Sequence, residues 1–156
     1  MRRKDREITD DNKIVEIIDK CKVMRIAMSV NDEPYIVPVN FGYSHDESNF
    51  EFYFHCAKEG RKLDMIKENS KVALEMDCNH ELVTAHVACG YGYKYASVIV
   101  EGRASLVSVP EEKMEILSRI MLHQTGKEFN FTEQQAAAVT VCKVKADHLS
   151  AKSREK

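Results

Sequence analysis

The residues best suited to chemistry lie in one short segment, YFHCAKEGRK, at positions 53–62. A strand is predicted to end in this segment and a helix to begin at about Arg61. The first backbone N–H groups of a helix lack partners within it and carry the positive end of its dipole, so an anion is stabilised there. Arg61 adds a planar fork suited to phosphate, Lys62 adds a point charge, and Gly60 leaves room for a ligand. The segment indicates a phosphate site, although a solvated helix start with two surface cations would contain the same residues.

His55 is the second candidate for chemistry in this segment. Histidine exchanges protons near neutral pH, so His55 could transfer a proton or orient an electron acceptor. It could equally be a strand-end histidine that is hydrogen-bonded to a neighbour. Cys56 could be a reactive thiol, but strand alternation points it away from His55, and we interpret it as structural.

A cluster of potential metal ligands lies in CNHELVTAHVAC, at positions 78–89. Its side chains Cys78, His80, His86 and Cys89 are of the types that bind zinc, but the usual paired spacing is absent. Strand geometry would also send some of these side chains to opposite faces. We therefore predict no metal site and interpret the cluster as structural or partly exposed.

The whole chain of 156 residues fits one domain, 1–156, with expected loose tails at 1–8 and 150–156. A net charge of −2 gives no general reason to bind nucleic acid or an anionic membrane. No apolar run is long enough to span a bilayer, and the charged start MRRKDREITDD lacks the apolar core of a signal peptide. Five cysteines without a CxxC motif predict reduced thiols, and we expect a cytoplasmic protein.

The pattern along the chain predicts three helices and six strands. Thr9 or Asp10 can cap the first helix, Pro38 marks an edge, an irregular pairing or a bulge, and Gly102 indicates a bulge or bend. Turns are expected at 31–34 and 44–49. The apolar stripes are Ile14, Ile17, Ile18 and Cys21 on the first helix and Met114, Leu117, Ile120 and Met121 on the last. The helices are predicted from about residue 10 and at 61–69 and 110–126, and the strands at 23–30, 35–43, 50–55, 71–77, 95–108 and 138–146.

This order predicts a mainly β fold. Adjacent strands joined by short turns favour an antiparallel sheet, closed or nearly closed, with helices at its rim. Neither GxxxxGKS nor GxGxxG occurs, which excludes phosphate loops of the P-loop and dinucleotide types.

A family resemblance adds to this interpretation. The run from PYIVPVNF (34–41) through YFH (53–55) to GRK (60–62) resembles the pyridoxamine 5′-phosphate oxidase-like, FMN-binding split-barrel family. Within that family it is most similar to the 5-nitroimidazole resistance (Nim-like) branch, which MRRKDREI, ACGYGYKYASVIVEG (88–102) and the TGK of HQTGK (123–127) also fit. The resemblance implies a six-stranded antiparallel split β-barrel of Greek-key type, and a homodimer that holds FMN between its subunits.

The resemblance also assigns roles to individual residues. Arg61 and Lys62 match the positions that hold the FMN phosphate, and Phe54 and His55 match the strand end beside the flavin. The other cofactor-binding positions match strands that run along or contact the isoalloxazine ring: Val37, Pro38, Val39, Asn40 and Phe41 on one strand, and Tyr95 and Ser97 on the long strand.

The function implied is that of an FMN-dependent oxidoreductase that reduces a small electrophile, such as a nitroimidazole. The alternatives are a flavin or haem carrier or sensor without turnover, in which His55 or His123 could be a ligand, and a structural subunit with an empty barrel. Oxidation of pyridoxamine 5′-phosphate is not expected. Val37 and Gly42 stand where those oxidases have a cationic pair, and the ending AKSREK lacks their Arg-x-His motif.

Overall fold

The structure, a computed structural model, describes residues 3–47 and 49–154. Its core is one antiparallel sheet in the order β3-β2-β6-β7-β8-β5-β4, with β1 paired to β8. The strands are β1 (Glu7–Ile8), β2 (Met24–Val30), β3 (Glu33–Val39), β4 (Gly42–Asp46), β5 (Asn49–Cys56), β6 (Lys71–Val83), β7 (Gly92–Leu106) and β8 (Thr140–Arg154). The helices are α1 (Asp11–Lys20), α2 (Arg61–Glu68), α3 (Pro110–Thr125) and α4 (Glu133–Ala137), with 3₁₀ turns at Lys4–Arg6 and Ala88–Gly90. No helix among these residues is long and apolar enough to cross a membrane.

The prediction of a mainly β, antiparallel split-barrel fold is confirmed, with a different strand count. Four strands take the spatial order β6-β7-β8-β5, which is a Greek-key arrangement. The sheet has eight strands rather than six and does not close, because β3 and β4 lie at its two ends. The prediction of a single strand at 35–43 is wrong. The strand is interrupted at Asn40 and Phe41, and these two residues connect β3 to β4, the two end strands of the sheet.

Several boundary predictions are also wrong. β3 already begins at Glu33 and β4 runs through Asp46, so the turns at 31–34 and 44–49 are shorter than expected. β6 ends at Val83 rather than at residue 77, and β7 begins at Gly92 rather than at residue 95. Beyond the register shift between Cys78 and Glu81 the two strands form an arm, in which exposed polar residues remove the apolar–polar alternation. β8 extends to Arg154 rather than ending at residue 146.

The expected loose tails are largely ordered. Glu7 and Ile8 of β1 pair with Lys152 and Ala151 of β8, and residues 150–154 also pair with β7. Residues 1–2 and 155–156 of these tails lie outside the described residues.

The predicted helices are confirmed, with small shifts. Asp10 caps α1, accepting a hydrogen bond from the Asn12 N–H at 2.9 Å, and α3 ends at Gly126 with a left-handed φ of 70°. The predicted α1 face is buried: Ile14, Ile17, Ile18 and Cys21. On α3 the buried residues are Ile116, Leu117 and Ile120, while Met114 and Met121 are only partly buried. The bulge at Gly102 is confirmed by a register shift between β7 and β8.

Strand β5 divides its side chains between two apolar clusters. Phe52 and Phe54 belong to the larger cluster, which α1 and α2 help to cover, whereas Tyr53 belongs to a smaller cluster beneath α3 and α4. Successive strand residues face opposite sides of a sheet, so this division sets the direction of every side chain at the end of β5.

Gly42 lets α3 pack closely on β4. A Cβ atom at this position would lie 2.7 Å from the Ile120 Cα atom and 2.8 Å from its backbone nitrogen. We expect Gly42→Ala to lower the free energy of unfolding by about 1–3 kcal/mol, since helix backbone must move to relieve the overlap. Urea denaturation measures this change, with Ser105→Ala at an exposed β7 position as the control. Equal stability of the two variants would contradict the close approach.

Candidate functional site

Helix α2 begins without a capping side chain. Its N-cap is Gly60, which has no side chain to cap the helix and whose φ of 140° and ψ of 158° form a conformation that favours glycine. The helical hydrogen bonds begin with the N–H groups of Leu63 and Asp64, which both donate to the Gly60 carbonyl. The N–H groups of Arg61 and Lys62 precede this ladder, so the helix start has the free donors that an anion needs.

A small pocket opens at this helix start. Its volume is about 210 Å³. Because pockets that enclose whole small-molecule ligands measure roughly 300–1,000 Å³, this one fits an anionic group rather than an entire flavin. It is lined by Tyr35 and Val37 of β3, Cys56 of β5, Ala57, Glu59 and Gly60 of the connection, and Arg61, Lys62 and Leu63 of α2.

Both cations of this pocket are held in place by aromatic rings. The Arg61 guanidinium lies 4.4 Å from the centre of the Tyr35 ring, and the Lys62 ammonium lies 5.5 Å from that of Phe54. Arg61 Nη2 is also 3.5 Å from Glu33 Oε2, but both side chains are largely exposed, so this ion pair is weak. An incoming anion therefore meets two positioned cations and the competing carboxylates of Glu33 and Glu59.

The structure divides the predicted residues 37–41 between two places. Val37 lines the pocket, Val39 is half-buried, and Pro38 is exposed on β3, which confirms the edge that Pro38 predicts. Asn40 and Phe41 form a corner between α3 and the start of β2. The Asn40 amide donates to the Lys22 carbonyl at 3.0 Å, and the fully buried Phe41 ring lies 4.5 Å from that of His123. The side chains of Asn40 and Phe41 thus position the strands.

Cys56, not His55, shares the pocket with the two cations. Phe54 is completely buried, and Cys56, two residues further, packs against the same cluster and lines the pocket. His55 lies on the opposite face of β5, where its side chain is exposed. The proposed catalytic role of His55 stays a prediction, while the interpretation of Cys56 as purely structural overlooked its place in the pocket.

Period-two alternation could have found the missed lining residues. Tyr35 shares the face of Val37 on β3, and Cys56 shares the face of Phe54 on β5. Glu33 offered no comparable signal, because its proximity to Arg61 depends on how β3 and α2 meet in space.

Tyr95 and Ser97 are not brought to this pocket within one chain. Ser97 is buried in the middle of the sheet, where it pairs with Asp77 and Lys152. Tyr95 lines a different cavity of about 610 Å³, beside α1, and the Lys152 ammonium lies 5.4 Å from its ring centre. The predicted contact of Tyr95 and Ser97 with a ligand held at Arg61 therefore stays a prediction.

His123 is built into the fold rather than presented to a ligand. Its side chain is only 5% exposed, and its Nε2 lies 2.8 Å from the Cys21 carbonyl oxygen. Burial is the main effect that lowers the pKa of His123, opposed by the hydrogen bond to Cys21, and the Lys22 ammonium lowers it further. The engaged Nε2 makes His123 a poor axial ligand for haem.

The candidate zinc ligands are dispersed. Cys78 lies beside Cys21, with its Sγ 3.9 Å from the Ile17 carbonyl oxygen, whereas His80 pairs with Asp77 at 2.7 Å. His86 and Cys89 are exposed. Across residues 3–47 and 49–154, no group of three or more His, Cys, Asp or Glu side chains is placed to hold a metal ion.

The fold defines a split-barrel protein. A family model described as pyridoxamine 5′-phosphate oxidase matches residues 10–153, so the chain belongs to this family. A comparison with curated proteins found no match.

Solved structures agree with this family. A Bacteroides thetaiotaomicron protein named for 5-nitroimidazole antibiotic resistance is 30% identical, with a TM-score of 0.82 over 94% of this chain and 86% of its own. A Mycobacterium smegmatis FAD- and haem-binding protein is 18% identical, with a TM-score of 0.80 over 97% and 74%. An Azotobacter vinelandii flavocytochrome is 21% identical, with a TM-score of 0.80 over 100% and 72%. The last two likenesses show the fold alone.

The buried His123 predicts a loss of stability in mild acid. Its pKa in the folded chain lies below the ordinary value of 6.5, so the unfolded chain binds a proton more readily, and stability present above pH 6.5 is lost as the pH falls. We expect the free energy of unfolding to fall more between pH 7.5 and 5.5 in the wild type than in His123→Gln, whose amide can still donate to the Cys21 carbonyl. Equal losses would show that His123 does not cause the acid sensitivity.

Proposed function

We propose that this protein binds FMN and acts as an FMN-dependent oxidoreductase that reduces a small electrophile, such as a nitroimidazole. The observation that carries the proposal is the uncapped start of α2, where Arg61 and Lys62 share a pocket of about 210 Å³. Two unpaired helix-start N–H groups and two cations suit a phosphate monoester. The family match and the nitroimidazole-resistance relative support the choice of a flavin phosphate.

The flavin ring must lie outside this small pocket, and β3 offers a surface for it. Among the described strands, β3 pairs only with β2 and so forms one edge of the sheet. Backbone N–H and C=O groups on the outer side of an edge strand can hydrogen-bond to a flat polar ligand. Val37 lies on this strand and also lines the pocket, so a phosphate at Arg61 and a ring along β3 are compatible with one ligand.

We extend the proposal to a homodimer that encloses FMN between its subunits. A single chain leaves the β3 edge uncovered and keeps Tyr95 and Ser97 away from the Arg61 pocket. Ile36 on the outer side of β3 is 60% exposed, and Leu82 and Tyr93 on the β6–β7 arm are 56% and 48% exposed. A second copy would cover these apolar side chains and could bring its own Tyr95 and Ser97 to the ring.

Each group then has a distinct task. Bound FMN would supply the two-electron chemistry. Arg61, Lys62 and the N–H groups at the start of α2 hold its phosphate, and the backbone of β3 orients its ring. The Phe54 ring positions Lys62, whose ammonium lies 5.5 Å from the ring centre. His55 is proposed to donate a proton to the electrophile from the exposed face of β5.

Oxidation of pyridoxamine 5′-phosphate is not part of the proposal. At Gly42, where those oxidases carry a cation, even a Cβ atom would lie within 3 Å of the α3 backbone. A long cationic side chain would therefore require α3 to move. The five free thiols are consistent with the proposed reducing, cytoplasmic location.

A flavin carrier or sensor without turnover is the second candidate. It is favoured by the lining of the pocket, since the described residues that form it include no histidine. Measurement of turnover separates this candidate from an oxidoreductase, whereas flavin binding does not.

Flavin binding tests the proposed phosphate site directly. We expect the wild type to bind FMN, and Arg61→Ala combined with Lys62→Ala to weaken binding by about 10²-fold or more, since charge-assisted hydrogen bonds contribute about 1.5–3 kcal/mol each. Glu33→Gln should tighten binding, because it removes the carboxylate 3.5 Å from Arg61. Fluorescence titration with FMN measures all three affinities.

The matched control for this titration is Lys67→Ala combined with Lys71→Ala, which removes two exposed cations outside the pocket. It should leave FMN affinity within about twofold. A colourless wild-type protein that takes up no added FMN would contradict the proposal. Equal weakening by the control pair would show that general positive charge, not the α2 site, binds the phosphate.

Turnover tests the role of His55. With FMN bound and a nicotinamide donor supplied, we expect reduction of a nitroimidazole, and a kcat at least tenfold lower in His55→Gln with unchanged FMN affinity. Steady-state kinetics with absorbance detection gives both parameters. Unchanged kcat in the variant would remove His55 from the mechanism, and no turnover in the wild type would favour the carrier.

A further inference from the structure

Two cysteines meet beside the α2 pocket. Strands β5 and β8 pair so that Phe54 lies opposite Cys142, while Cys56 lies opposite Thr140. Cys56 and Cys142 are therefore diagonal neighbours on one face of the sheet. Cys142 is completely buried, whereas Cys56 is half-buried and lines the pocket. Of this pair, Cys56 is the residue that lines the pocket.

The surroundings of Cys56 favour its thiolate. The neighbouring Cys142 thiol and the positive charge of Lys62 together lower the pKa of Cys56, although partial burial opposes this shift. Cys142 keeps its proton, because the interaction with Cys56 and its own burial raise its pKa. The other charged groups of the pocket are Glu59 and Arg61.

The remaining cysteines have different surroundings. Burial raises the pKa of Cys21, and that of Cys78 beside it is raised by partial burial. Cys89 is exposed in the short 3₁₀ turn that follows β6 and does not line the α2 pocket. Among the described residues, Cys56 is thus the cysteine that lies beside two cations in a pocket.

We propose that Cys56 is a reactive thiol that forms a mixed disulfide with anionic low-molecular-weight disulfides. The Cys56 sulfur attacks one sulfur of the reagent, the reagent's S–S bond breaks, and a new S–S bond joins Cys56 to one half. The other half leaves as a thiolate, which takes up a proton according to its own acidity. The Cys56 sulfur is oxidised and the leaving sulfur is reduced, so the reagent itself is the oxidant and no other is needed.

The pocket selects for a negative charge on the reagent. Arg61, Lys62 and the N–H groups at the start of α2 can hold a carboxylate while the thiolate attacks the neighbouring sulfur. An internal disulfide between Cys56 and Cys142 is disfavoured. Diagonal pairs in a sheet are typically about 7–8 Å apart, whereas disulfides usually join Cα atoms about 5.5–6 Å apart.

A consequence follows if the proposed function is correct. A group attached to Cys56 would occupy the pocket that holds the FMN phosphate, so thiol modification and FMN binding would exclude one another. Reduction of the mixed disulfide would restore binding. This makes cofactor loading sensitive to the thiol–disulfide balance around the protein.

The test measures thiol reactivity in the protein without added flavin. Dithiobis(nitrobenzoate) is the anionic probe and dithiodipyridine is the neutral one, and each releases a coloured thiol that is followed in time. We expect a fast phase that Cys56→Ser abolishes, with a half-maximal rate at a lower pH than for an ordinary cysteine. Peptide mass spectrometry should locate the first modification on Cys56. Modification of Cys89 before Cys56 would overturn the proposal.

Matched variants test the contribution of each neighbour. Lys62→Gln should slow the anionic probe at least fivefold and the neutral probe less, while Lys67→Gln on the same helix should change neither. Cys142→Ser keeps a hydrogen-bond donor and should retain the fast phase, whereas Cys142→Ala should slow it. Circular dichroism confirms that each variant is folded. An unchanged ratio of the two probe rates in Lys62→Gln would exclude recognition of the anionic group.

Titration of the modified protein with FMN separates this proposal from the previous one. Modified protein should bind FMN at least tenfold more weakly, and dithiothreitol should restore affinity. If unmodified protein binds no FMN, the proposed function fails. The reactivity of Cys56 is still tested independently by the fast thiol phase. Full FMN affinity in modified protein would contradict the shared pocket.

Discussion

The candidate site depends on how the chain turns at Gly60. Gly60 has a positive φ and starts α2 without a capping side chain, so the first backbone donors have no side-chain oxygen at the N-cap. Strand β5 and the buried Leu63 fix where this turn lies. Arg61 and Lys62 follow at once, each held against an aromatic ring. The proposed anion site thus rests on a helix start, with the cations adding charge to the backbone donors.

The division of β5 between two apolar clusters determines what else reaches that site. Phe54 faces the larger cluster and Tyr53 the smaller one, so Cys56 turns toward the pocket and His55 turns away from it. The same sheet places Tyr95 and Ser97 elsewhere. One chain therefore forms a small pocket beside α2 that does not include Tyr95 or Ser97. The proposed homodimer would bring these residues to the flavin.

Much of this was predictable from the sequence where local patterns decide the outcome. The helix start after Gly60, the N-cap and buried face of α1, and the bulge at Gly102 each follow from residue types at short spacing. The break between β3 and β4 was not predictable. Residues 35–43 have the composition of a single strand, and only the corner that Asn40 makes with Lys22 and α3 divides it. The long ends of β6 and β8 were missed because partners across the sheet, rather than their own pattern, keep them extended.

The most direct measurement of the central claim is a crystal structure of the protein grown with FMN. The account predicts that the phosphate accepts hydrogen bonds from the N–H groups of Arg61 and Lys62, with their side chains on its oxygens and the ring along β3 beneath a second copy. Flavin bound instead in the cavity lined by Tyr95 and α1, with nothing at the start of α2, would contradict it.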